Sequence, residues 1–256
     1  MLFFKKRSII KDGKFLILAY DQGFEHGPAD FNLENVNPQR IFDIALKGDY
    51  TAVAVQAGIA EKYYLGENRK VPLIVKLNAK DRFDNYDPVS LSHTSVKYAK
   101  KLGALGVGYT IYLGASREQE MFREFGMICE EAKRLGLLVV CWMYPRGPSI
   151  KNDLDTDIIA YGARVAMELG ADVVKVKYNG DPEGLKWIIK CAGRARVVVA
   201  GGKKIGETDF FSAISSAIAS GASGVAIGRN VWQDSDPESI SKKLSEIVFG
   251  VSKETN

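Results

Sequence analysis

Eight short runs rich in Val, Ile, Leu and aromatic residues recur along the chain, each followed by a longer segment with helical spacing. The runs are "KFLILAYD", "YTAVAVQA", "VPLIVKLN", "GVGYTIYLG", "LLVVCWMY", "DVVKVKY", "RVVVAGG" and "GVAIGRN". Among the helical segments, "SREQEMFREFGMICEEAKRLG" spaces Met121, Phe125, Ile128 and Cys129 on one face. "DTDIIAYGARVAMELG" and "GETDFFSAISSAIASG" follow the same rule, and each ends on a glycine suited to a helix C-terminus. Strands that alternate with helices run parallel, because each helical crossover returns the chain to the same end of the sheet. Eight such units in 256 residues predict an α/β fold, a (β/α)8 TIM barrel, with an open doubly wound sheet as the alternative.

No linker or composition shift divides the chain, so residues 1–256 read as one barrel domain. Residues 1–14 are expected to form an N-terminal extension, a lid or hairpin at the barrel bottom, and residues 250–256 a frayed tail. Lys+Arg of 35 against Asp+Glu of 31 leaves a net charge of only +4. The basic residues are scattered, which argues against nucleic acid and suits a small anionic partner. Cys129, Cys141 and Cys191 are odd in number and far apart, as expected of reduced thiols in a cytoplasmic protein. Two histidines, His26 and His93, are too few for a His-rich metal centre, and no metal or cofactor is expected. The N-terminal "MLFFKKRSII" meets a charge at Lys5 and lacks the long apolar stretch of a signal or membrane segment.

Side chains alternate across a strand, so parity separates an inner from an outer face. In "VVKVKY", Val174, Val176 and Tyr178 lie opposite Val173, Lys175 and Lys177. In "PLIVKLN", Leu73, Val75 and Leu77 lie opposite Ile74, Lys76 and Asn78. The aliphatic faces belong against the helices, which turns Lys76, Asn78, Lys175 and Lys177 into the barrel near the C-terminal rim. The same rim receives Asp21 after the first strand, and Trp142 and Tyr144 late in the fifth. Each has a structural alternative: Asp21 as a turn cap or as the ion-pair partner of one lysine, Trp142 as core filler. Their convergence at one rim predicts a site, because active sites of this fold sit there.

A free lysine is neutral in only about one molecule in a few thousand at pH 7. Burial, or a cationic neighbour, lowers its pKa and multiplies the nucleophilic fraction about tenfold per unit. Two inward lysines therefore suit Schiff-base chemistry on a carbonyl substrate, with Tyr144 and Asp21 placed to move protons. "VVVAGGKK" and "GVAIGRNVW" put Gly201, Gly202, Gly228 and Arg229 after strands seven and eight, where phosphate groups often bind in this fold. A phosphorylated substrate follows. Lys76 and Arg146 are further candidates for charge near the site or for a second phosphate, with a solvated or ion-paired role as the alternative for each.

Four stretches, "LAYDQGFEHGPADF", "CWMYPRG", "VVKVKYNGDP" and "GVAIGRNVWQ", together resemble the archaeal-type class I fructose-1,6-bisphosphate aldolases. That family includes the amino-dideoxyheptulosonate synthases and the phospho-autoinducer-2 thiolases. The resemblance spans nearly the whole chain. It implies Lys175 as the Schiff-base lysine, Tyr144 as the acid–base group and Asp21 as the active-site aspartate. It also implies substrate-binding roles for Trp142, Gly201, Gly202, Gly228 and Arg229, with Lys177 as an auxiliary, and a homo-oligomer such as a decameric ring. Gln22 and "GGKK" depart from the family's usual histidine and "GGPK". "EHGP" favours fructose bisphosphate cleavage over the heptulosonate synthase or thiolase reactions. A non-catalytic sugar-phosphate-binding barrel is the reading from another class.

Overall fold

In the computed structural model, residues 8–83, 85–202 and 204–250 are described. The strands are β1 (Phe15–Tyr20), β2 (Ala52–Gln56), β3 (Leu73–Lys76), β4 (Gly106–Leu113), β5 (Leu138–Pro145), β6 (Val173–Val176), β7 (Arg196–Ala200) and β8 (Gly224–Ile227). They close in sequence order into a parallel barrel, with β8 pairing back onto β1. The helices are α1 (Gln22–His26), α2 (Gln39–Lys47), α3 (Ala57–Tyr63), α4 (Val96–Lys101) and α5 (Glu118–Arg134). The chain continues with α6 (Thr156–Glu168), α7 (Pro182–Cys191), α8 (Glu207–Ala219), α9 (Arg229–Trp232) and α10 (Pro237–Phe249). The expected (β/α)8 architecture is the observed one, and the open sheet is ruled out by the β1–β8 pairing.

Local chemistry starts the helices where the chain must turn. Asp155, Asp181 and Asp236 accept hydrogen bonds from the first-turn N–H groups of α6, α7 and α10, and Ser95 does so for α4. Each such cap stabilises its helix by about 1 kcal/mol. The face of α5 carrying Met121, Phe125, Ile128 and Cys129 is buried, as its spacing predicts. The outward residues Val53, Val55, Leu73, Val75, Val174 and Val176 join that helix layer in one apolar cluster.

A second, smaller cluster fills the barrel with Phe15, Ile17, Ala52, Ala54, Ile74, Val140, Trp142, Val173, Val198 and Ala226. Ile9 closes it at the N-terminal end of the strands, packing with Phe15 and against Gly106. Lys11 and Lys14 exchange backbone hydrogen bonds across a turn in which Asp12 and Gly13 have φ of 51° and 76°. Residues 1–7 of the expected extension and residues 251–256 of the expected tail lie outside the described residues. Cys129, Cys141 and Cys191 are free thiols.

One small residue decides what the upper barrel can hold. Gly108 on β4 is in register with Lys76 on β3 and Val140 on β5. A Cβ at Gly108 would stand 2.3 Å from Cζ3 of Trp142. The indole thus lies over bare backbone and crosses the barrel from β5 toward β3. Gly108→Ala is expected to force the ring aside and destabilise the protein by about 1–3 kcal/mol, the usual cost of overpacking. A thermal melt checks this; an unchanged midpoint would mean that the ring relaxes without cost.

Candidate active site

The C-terminal ends of the strands open into a cavity of about 500 Å3. Its wall includes Asp21, Trp142, Tyr144, Lys175, Lys177, Gly201, Gly202, Gly228 and Arg229, the nine residues given catalytic or substrate-binding roles from the sequence, and of the two further candidates it includes Arg146 but not Lys76. Parity explains most of this convergence. Trp142 and Tyr144 are two apart on β5, Lys175 is in register with Trp142, and Asp21 directly follows β1.

Lys175 is 5 % exposed, with Nζ 5.3 Å from the Trp142 ring centre and 6.0 Å from that of Tyr144. Burial lowers its pKa to about 8, with Asp21 and Glu25 acting against the shift and Lys76 and Arg229 acting with it. At pH 7 about one amine in ten is then neutral, several hundred times the fraction for a free lysine. Tyr144 moves the other way: burial, then the carboxylates of Asp21 and Glu25, hold its pKa well above the usual phenol value. The cavity therefore places a partly neutral amine beside a phenol that keeps its proton.

Asp21 precedes α1 but makes no cap hydrogen bond. Its Oδ2 stands 3.8 Å from Nζ of Lys76, so its ion-pair partner is the lysine on β3 rather than either lysine of the "VVKVKY" run. Lys76 itself is wholly buried and donates to the Asn78 carbonyl at 3.0 Å. That burial places it beneath the cavity, away from a position that could grip a second phosphate. Lys177 lies just beyond the last residue of β6 and pairs with Asp153. The two lysines that looked equivalent in sequence thus have different environments, one desolvated against aromatic rings and one in an ion pair at the cavity edge.

The loops after β7 and β8 are cross-linked. Asn230 donates to the Gly201 carbonyl at 2.8 Å and accepts from the Ile205 N–H at 3.1 Å. Arg229 donates to the Gly202 carbonyl at 3.4 Å and lies 3.6 Å from the Asp30 carboxylate. Gly202 has φ of 69° with open space above it, a bare left-handed turn suited to an anion. Gly228 is needed for another reason as well, since a Cβ there would come within 2.7 Å of the Ala19 carbonyl. Three buried polar atoms around the cavity, Gln22 Oε1, Trp142 Nε1 and Arg229 Nε, have no hydrogen-bond partner in the protein. Buried polar atoms are rarely left unsatisfied, so a polar ligand suits this wall.

Glu25, His26, Thr110 and Asp153 also line the cavity and were missed as site residues from sequence. Glu25 and His26 lie in the "EHGP" stretch, which carried the signal without the placement. His26 Nδ1 meets Asp30 Oδ2 at 2.5 Å, so Asp30 faces both His26 and Arg229. Among the described residues, no group of three His, Cys, Asp or Glu side chains is arranged to hold a metal ion.

Residues 15–234 match the family model described as DeoC/LacD family aldolase. The chain is 45 % identical to the class 1 fructose-bisphosphate aldolase of Thermoproteus tenax, across 96 % of this chain and 94 % of that one. It is 43 % identical to the enzyme of the same name from Halobacterium salinarum, with the same coverage. A solved archaeal fructose-1,6-bisphosphate aldolase, its catalytic lysine covalently bound to the carbinolamine intermediate of the substrate, superimposes with a TM-score of 0.89. That match is 45 % identical and covers 93 % of this chain and 95 % of the other. The chain belongs to the DeoC/LacD aldolase family.

The depressed pKa of Lys175 has a thermodynamic consequence. The unfolded chain holds this proton up to about pH 10.5 and the folded one only to about pH 8. Burying Lys175 therefore costs stability in full below pH 8, and the cost fades as pH rises toward 10.5. Lys175→Met is expected to stabilise the fold at pH 7 by on the order of 2–3 kcal/mol, an advantage that disappears near pH 10.5. Denaturant titrations of both proteins across pH 6–10.5 test this; an advantage independent of pH would contradict it.

Proposed function

We propose that this DeoC/LacD family aldolase is a Schiff-base, class I enzyme that reversibly cleaves fructose 1,6-bisphosphate to dihydroxyacetone phosphate and glyceraldehyde 3-phosphate. The observation that supports it most is the buried Lys175 amine, with a pKa near 8, facing a protonated phenol at the rim of the barrel. The names of the relatives at 45 % and 43 % identity favour the same substrate over the heptulosonate synthase and thiolase readings.

In this reading the neutral Lys175 amine adds to the C2 ketone and forms a carbinolamine. Tyr144 gives its proton to the departing hydroxyl, which leaves as water, and an iminium and a phenolate remain side by side. The raised pKa of Tyr144 fits this order, because the phenol begins protonated and becomes a base only once a cation has formed beside it. The phenolate takes the C4 hydroxyl proton as the C3–C4 electron pair moves toward the iminium, releasing the aldehyde and leaving an enamine. The phenol then returns the proton to C3. Water adds to the iminium as the phenolate takes a proton from it, and collapse of the carbinolamine frees dihydroxyacetone phosphate and the amine. Asp21 supplies negative charge near the iminium and assists proton transfer.

Gly201, Gly202, Gly228 and Arg229 would hold the phosphate of the ketone half, and Trp142 would form a wall of the pocket with Lys177 at its edge. Arg146, also on the cavity wall, would meet the second phosphate. The proposal includes one barrel domain over residues 1–256, a cytoplasmic location and a homo-oligomer. Among the described residues no helix is long and apolar enough to cross a membrane.

Borohydride added to the protein with dihydroxyacetone phosphate is expected to fix a reduced adduct on Lys175, read by peptide mass spectrometry. An adduct on Lys177 would move the nucleophile, and binding without any adduct would leave a sugar-phosphate-binding barrel. Tyr144→Phe should lower kcat for cleavage by about 10²–10⁴-fold with a much smaller change in KM. EDTA should leave cleavage unchanged, because the proposed steps need only side chains and water.

A further inference from the structure

Lys76 belongs to no step above, yet it is the most deeply buried charged residue around the cavity. It is 0 % exposed, on β3, in register with Gly108. Its Nζ has one backbone acceptor, Asn78 at 3.0 Å, and one carboxylate, Asp21 at 3.8 Å. It also stands 5.5 Å from the centre of the Trp142 ring, the same indole that Lys175 faces at 5.3 Å. Bare backbone at Gly108 lets that ring reach from β5 toward β3 and so connect the two lysines. A lysine kept this deep is costly to bury unless its surroundings use the charge.

We infer that Lys76 is a positioning residue for Lys175: its ammonium pairs with Asp21 and sets a fixed positive charge beside the shared indole, which offsets the hold of the Asp21 carboxylate on the Lys175 proton. Among the described residues, Asp21 is the carboxylate bound to Lys76, and none lies within ion-pair distance of Lys175. This assigns the role of cationic neighbour to Lys76 instead of Lys177, whose charge is matched by Asp153. The other groups acting on Lys175 are Asp21 beyond β1, Glu25 on α1 and Arg229 on α9, with the Tyr144 phenol from β5. Two cations and two carboxylates oppose one another there, and Lys76 is the cation that no solvent screens. A separate neighbour responds in the same sense: the His93 imidazole is lowered by burial and by Lys76.

The inference rests on the reading of Lys175 as the reactive amine, but its test does not need a substrate. Intact protein is labelled with trace acetic anhydride across pH 6–11, and the labelling of the Lys175 peptide is fitted to a titration curve. Lys76→Gln, whose amide can still donate to the Asn78 carbonyl, and Lys76→Met remove the charge. Near-ultraviolet circular dichroism identifies which variants are folded. The expected result is a Lys175 midpoint near pH 8 in the native protein, raised by about one unit in the charge-removing variants. The neutral fraction at pH 7 then falls about tenfold, while reactivity above pH 10 is kept. Lys76→Arg should retain the native midpoint.

A role confined to packing would lower stability and leave the midpoint in place, so a midpoint unmoved in a folded Lys76→Gln or Lys76→Met protein overturns the inference. If neither of these folds, a Lys175 midpoint in the native protein at or above the ordinary lysine value overturns it as well. A midpoint that shifts as expected, in a protein that gives no borohydride adduct with dihydroxyacetone phosphate, would sustain the positioning role and reject the aldolase reading. An adduct on Lys175 with an unmoved midpoint would do the reverse.

Discussion

Closure of eight parallel strands turns every second side chain of each strand into the enclosed interior of the barrel. Below the rim that space takes Phe15, Ile17, Ala54, Ile74, Val173 and Val198, whose burial drives folding. At the rim the same alternation carries Lys175 inward, and the cost of desolvating an ammonium becomes a chemical property of the site. The lowered pKa of this amine and the energetic cost of its burial are one effect, so the chain gives up stability at Lys175 that the apolar clusters around it must supply. Sites of this kind are held by rigid elements, and every strand of this barrel is hydrogen-bonded on both edges.

The arrangement around that amine depends on what the neighbouring strands leave out. Gly108 has no side chain, so Trp142 crosses over β4, and the indole then forms a wall common to Lys76 and Lys175. Tyr144, two residues further along β5, faces the amine from the same strand. Burial acts in opposite senses on the two groups, lowering the amine and raising the phenol. A phenol that keeps its proton therefore sits beside an amine that has partly lost its own, and environments that push two pKa values apart suit separate acid and base roles in one pocket.

The opposite wall is built by cross-links between loops. Asn230 ties the β8 end to Gly201, Arg229 reaches Gly202, and Asp30 from the β1 side meets both Arg229 and His26. Gln233 extends the same connection by donating to the Asp30 carbonyl at 2.7 Å. Three loops far apart in the chain thus define one corner, and a glycine at 202 keeps that corner open to an anion.

Much of this was legible in the chain. Eight alternating units specify a parallel barrel because helical crossovers admit little else. The period of two places Lys76, Lys175, Trp142 and Tyr144 on the inner face, since strand geometry is local. The glycines after strands seven and eight were legible for the same reason. Strand periodicity alone could not tell Lys175 from Lys177, which only the family resemblance separated, because β6 ends between them and the Asp153 that pairs with Lys177 lies on a different loop. Nor could it show that Asp21 belongs to Lys76, or that Glu25 and His26 turn into the cavity. Backbone periodicity is written into neighbouring residues, whereas charge pairing and desolvation depend on which loops meet when the barrel closes. The local sequence thus determined the fold and the inward set, and tertiary closure decided which lysine is ion-paired and which is desolvated against the aromatic rings.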